Sequence, residues 1–80
     1  MVIKPICQMA IGARYRILTI LGTIDFQTRV REFGFNEDCE IVKISGNGPF
    51  LFNVNGVRLV LNHDGAGKIL AIESRIPDIL

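Results

Sequence analysis

Nine Lys and Arg stand against eight Asp and Glu over 80 residues, so no basic excess draws this chain to DNA, RNA or an anionic membrane. Apolar residues make up 49% of it, yet no run approaches the ~18 residues of a membrane span. The content fits one small domain that turns some apolar surface to a partner. Two cysteines, Cys7 and Cys39, allow one bridge but are too few for a disulfide framework, and they read as reduced thiols of a cytosolic protein.

Residues 1–9 hold Pro5, lack a clean period and read as a short strand or turn packed on the edge of a barrel. Gln8 interrupts the apolar run after Lys4, and cleavage after Ala13 would cut into the first strong strand. The segment is therefore read as part of the domain and not as a signal peptide. Residues 13–21 (ARYRILTIL) are β-prone, with Arg14 and Arg16 facing one way and Tyr15 and Ile17 the other. The alternation fails from Leu18 to Leu21, which predicts a bulge or sharp bend. Asp25 is the expected N-cap of a short helix over 26–33, and Gly34 its left-handed stop. Phe26, Val30 and Phe33 share one stripe of that helix, and Phe35 is placed to touch Val30 beyond the stop.

Asn36-Glu37-Asp38 reads as a polar turn and residues 39–44 (CEIVKI) as a strand. The inward face of that strand is ambiguous between Ile41 with Lys43 and Val42 with Ile44. A loop over 45–49 follows, with two glycines and a proline. Residues 50–61 (FLFNVNGVRLVL) carry the strongest local signal. Two β-prone runs flank Asn55-Gly56, the pair that a two-residue type I′ turn prefers. The turn sets Val54 opposite Val57, Phe52 opposite Leu59 and Phe50 opposite Leu61, all on one apolar face. Leu51, Asn53, Arg58 and Val60 take the other. Asn62 or Asp64 can cap a short turn over 63–68, residues 68–73 form a last strand, and 74–80 are a tail. About five short strands and one short helix, spaced as in small closed β-barrels, make 1–80 a single mostly β domain.

Chemistry is hard to assemble from these residues. Cys7, Cys39, His63 and Asp64 are the candidate metal ligands, but no Cys-x-x-Cys, His pair or carboxylate cluster joins them. No metal site and no cofactor are expected. Gly65-Ala66-Gly67-Lys68 resembles the end of a phosphate loop, yet Asn62 and Ile69 stand where that loop needs Gly and Ser or Thr. A single His and no nucleophile elbow speak against an enzyme. Arg29, four residues after Asp25, is placed for an i,i+4 ion pair on a solvated face; otherwise it is free to meet a partner's acidic or phosphate group.

The runs LGTIDFQTRVREFGFNEDCEIVKI and GNGPFLFNVNGVRLVLNHDGAGKILAI resemble the FeoA family, the ferrous iron transport protein A domain. The family's helix motif, an Arg pair leading through hydrophobic positions to Gly, falls on Thr28 to Phe35. Its later hydrophobic and Gly pattern falls on Phe52, Val54, Gly56, Leu59 and Leu61, and its last on Ala66, Ile69 and residues 70–72. Glu37-Asp38 replaces a common Pro-Gly, Gly65 and Gly67 replace usual acidic residues, and the tail lies outside the pattern. The resemblance implies a small SH3-like β-barrel with a helix inserted after its first long strand. It also implies a cytoplasmic accessory protein of ferrous iron uptake that binds the cytoplasmic part of a FeoB-like membrane GTPase. The alternative is the SH3-like C-terminal domain of a metal-dependent repressor; the start methionine directly before the domain favours a standalone protein. A PxxP-binding role is weaker, since no Trp and one Tyr leave little for an aromatic groove. The expected partner-binding residues are Arg29, at the family's motif position, and the tail's Ile76, Ile79 and Leu80. The outer hairpin face with Leu51 and Val60 is a further candidate, and a homo-oligomer stays open.

Overall fold

In the computed structural model, which describes residues 2–46 and 49–73, Asn55 and Gly56 turn with φ of 54° and 82°. These are the left-handed conformations a two-residue type I′ hairpin needs. Asn53 steadies the turn, its side-chain oxygen accepting the Gly56 N–H at 2.9 Å. The flanking strands β4 (Phe50–Val54) and β5 (Val57–Leu61) pair in the expected register, Phe52 opposite Leu59 and Phe50 opposite Leu61.

The hairpin is one end of an antiparallel sheet whose other strands are β1 (Ile3–Pro5), β2 (Arg14–Ile20), β3 (Glu40–Ser45) and β6 (Ile69–Glu73). The spatial order is β1-β6-β2-β3-β4-β5. There are six strands and not five, because the Pro5 segment pairs along the edge of β6 before turning into a single 3₁₀ turn, Ile6–Gln8. No ladder between β1 and β5 closes the sheet among the described residues. Among the described residues the SH3-like sheet is therefore unclosed, with β1 and β5 at its edges, where strand spacing predicts a closed barrel. The predicted break in β2 is a register shift between Ile17 and Thr19, which throws Leu18 outward.

Helix α1 (Ile24–Phe33) crosses from β2 to β3. Its N-cap is Thr23 and not Asp25: the Thr23 hydroxyl oxygen accepts the Phe26 N–H at 3.1 Å. Asp25 lies instead in the first turn, where its charge suits the helix dipole. Gly34, at φ 120°, ends the helix in a Schellman reversal. Its N–H donates to the Arg31 carbonyl at 3.1 Å, and the Phe35 N–H to the Val30 carbonyl at 2.9 Å. The reversal decides which aromatic enters the core. Phe35 is fully buried, edge-on to Phe52 with ring centroids 6.1 Å apart, whereas Phe33 stays 53% exposed. Only Val30 and, in part, Phe26 of the predicted stripe face inward.

Ile6, Met9, Ile17, Ile41, Phe52 and Ile69 fill the centre of the core. Val57, expected on the core face, is exposed because it ends an edge strand beside the turn, with a neighbouring strand on one side only. Asn62 caps the one-turn α2 (His63–Ala66), accepting the Gly65 N–H at 2.7 Å, and α2 buries Ala66. The ambiguity in β3 resolves toward Ile41 and Lys43, which pair with Val54 and Phe52 and are both buried.

Candidate functional site

Helix α1 shows its outer face because Val30 is turned into the core and Phe26 lies half-buried beneath the Lys68 ammonium, 5.0 Å from its ring centroid. Asp25, Thr28, Arg29, Glu32 and Phe33 remain exposed. Arg29 and Phe33 stand one turn apart, so a guanidinium and an exposed aromatic share a face.

The two arginines of α1 have different duties. Arg31 grips Glu37 in a two-pronged ion pair, Nη2 donating to Oε2 at 2.8 Å. The Arg31 hydrogen bonds hold the Glu37 carboxyl down at about 2, and the same pairing raises the Arg31 pKa. The pair ties the helix end to the 36–38 turn. Arg29 joins none of the ion pairs among the described residues, which are Arg14–Glu40, Arg31–Glu37 and Lys68–Asp64. The Asp25–Arg29 pair that would occupy it does not form. Ile76, Ile79 and Leu80, the other residues assigned to a partner, lie outside the described residues.

Elsewhere Lys43 is the buried cation that sequence reasoning left open. Its ammonium donates to the carbonyls of Cys7 at 3.0 Å and Met9 at 2.9 Å and sits 4.5 Å from the Phe50 ring centroid. His63 packs on the same Phe50 ring, with the two centroids 5.6 Å apart. Cys7 and Cys39 are free thiols. Among the described residues no three His, Cys, Asp or Glu side chains gather as a metal's ligands would, and no helix is long and apolar enough to cross a membrane. Exposed apolar side chains, by contrast, are plentiful: Ile24 and Phe33 on α1, Val57 and Val60 on β5. Leu51, paired with Val60 on the outer hairpin face, is half-buried.

A bulged antiparallel sheet with one helix between its second and third strands, bearing surface cations and apolar side chains, is an SH3-like module. The FeoA domain model matches residues 4–72, and the chain belongs to the FeoA family, associated with ferrous iron transport. A crystal structure of an iron uptake regulatory protein, FeoA, superposes with a TM-score of 0.86 at 21% identity, covering 91% of this chain and 100% of that one. The zinc-complexed FeoA of Stenotrophomonas maltophilia, described as a procaryotic SH3 domain protein and a candidate ferrous iron transport activating factor, gives 0.73 at 20% identity over 82% of this chain and 86% of that one. The T. acidophilum IdeR gives 0.84 at 19% identity, over 92% of this chain but 35% of that one. No curated protein matches the chain by sequence.

Proposed function

We propose that this chain is a non-catalytic, cytoplasmic accessory protein of ferrous iron uptake that docks on the cytoplasmic part of a FeoB-like membrane GTPase. The FeoA match over residues 4–72 carries the reading. Arg29 of α1 and the tail's Ile76, Ile79 and Leu80 are the contact residues. Arg29 fits the role because it is exposed and outside every ion pair of the described residues, whereas Arg31 is committed to Glu37. Ile76, Ile79 and Leu80 would add large aliphatic surface to that contact.

Pull-downs with the partner's cytoplasmic part test this, using Arg29→Glu and a chain ending at Glu73, each first checked for native melting. Both folded variants should lose binding. Undiminished binding by both moves the contact elsewhere. The second reading, an intramolecular domain of a metal-dependent repressor, is favoured by the likeness to IdeR. It predicts binding to a DNA-binding domain and none to the GTPase.

A further inference from the structure

The open edge of β5 carries an assignment separate from the α1 face. In a hairpin closed by a two-residue turn, the residues flanking the turn exchange both backbone bonds, and every second pair does so after them. With Val54 opposite Val57, residues 57, 59 and 61 spend their backbone groups on β4. Arg58 and Val60 then aim N–H and C=O away from it. The sheet ends at β5, and no backbone bond outside the ladders reaches residues 57–61 among the described residues. The side chains of Arg58 and Val60 are exposed as well, Val60 to 60%.

The other edge is built differently. β1 has three residues, carries Lys4 and ends on Pro5, which has no N–H to offer. Short length, lysine and proline are the devices that keep an edge from recruiting a strand. β5 has five residues, two exposed valines and none of these devices save the charge of Arg58.

We infer that β5 receives an extended segment of another protein, added as a seventh strand, with an acidic residue beside Arg58 and an aliphatic one beside Val60. Charge selects this occupant. Arg58 makes no ion pair among the described residues, and a strand laid along the edge brings its side chains to about 5 Å from it. A second copy of β5 offers no acid, since VRLVL holds none. Pairing of two copies would cover Arg58 with valine or set it against its own like charge, which is unfavourable. The edge can receive such a strand whether or not the iron transporter is its source.

The test uses the full chain, nitrogen-15 labelled, and short blocked peptides at millimolar concentration. One alternates Val and Glu, a second Val and Lys, and a third repeats the first with alternate amides N-methylated. The Val/Glu peptide should slow amide exchange of Arg58 and Val60 about ten-fold, and the other two should not. Arg58→Glu should switch the preference to the Val/Lys peptide. Val60→Pro, which removes an outward N–H and no ladder bond, should melt like the parent and lose the effect. Absence of protection from any peptide overturns the proposal, as does equal protection by both charge types that Arg58→Glu leaves alone. Protection already present in the free chain also overturns it. A rise with protein concentration would then mark a second copy, and loss on ending the chain at Glu73 would mark the chain's own tail.

Discussion

Lys43 stands on the core side of β3 where the neighbouring inward positions hold Ile41, Val54 and Phe52. A buried ammonium is tolerated only with acceptors in place, and the 3₁₀ turn supplies the Cys7 carbonyl and Met9, just after it, a second. Lys43 also accepts the Gly12 N–H on its own carbonyl at 2.7 Å, so one residue holds both ends of the excursion from β1 to β2. Lys43→Met keeps the stem and deletes the two charge-assisted bonds; it should lower stability by about 1.5–3 kcal/mol in urea melts and speed exchange at Gly12. An unchanged midpoint would show that the bonds contribute nothing net. Phe52→Ala, between Phe35 and Phe50, should lose about 3–5 kcal/mol by the same measurement. The two positions differ in how far sequence could reveal them. Phe52 follows from a turn that fixes register and a period of two. Lys43 depends on carbonyls 34 and 36 residues away in the chain, which no local pattern encodes.

Helix α1 shows the same division at the level of an element. Its stop was legible, because Gly followed by an apolar residue is the chemistry of a Schellman reversal. Its start was misplaced by two residues, because Thr23 and Asp25 are both good caps and the exposed Ile24 between them gives no phase. Thr23→Ala should destabilise by about 1 kcal/mol, and Asp25→Asn by much less, in parallel thermal melts. The outward turn of Phe33 was not legible, since 3.6-residue spacing allows it on the stripe and only the reversal places Phe35 there first. The Arg31–Glu37 pair gives the element a pH signature. Glu37 titrates near 2 in the folded chain against an ordinary 4.5, so its contribution is present above the unfolded value. It is lost as pH falls through the window between the two. Glu37→Gln should therefore flatten part of the stability loss between pH 4.5 and 2, and added salt should shrink the difference, because the pair is solvent-exposed. An identical acid profile in the variant would remove the pair from the account.

At the scale of the molecule, turn chemistry and strand periodicity conveyed the antiparallel sheet, helix-stop chemistry the inserted helix, and the resemblance of two residue runs the family. The expected closure failed because spacing counts strands but does not say whether the first and last pair. That openness leaves β5 exposed, and the account places its contacts on the exposed faces of α1 and β5. The most direct test of the docking role is an amide-shift titration of the labelled full chain with the cytoplasmic part of a FeoB-like GTPase. The account predicts saturable shifts centred on Arg29 and residues 76–80, with Lys43 and the buried core undisturbed. Binding that leaves both regions silent, or no binding at millimolar partner, would contradict it.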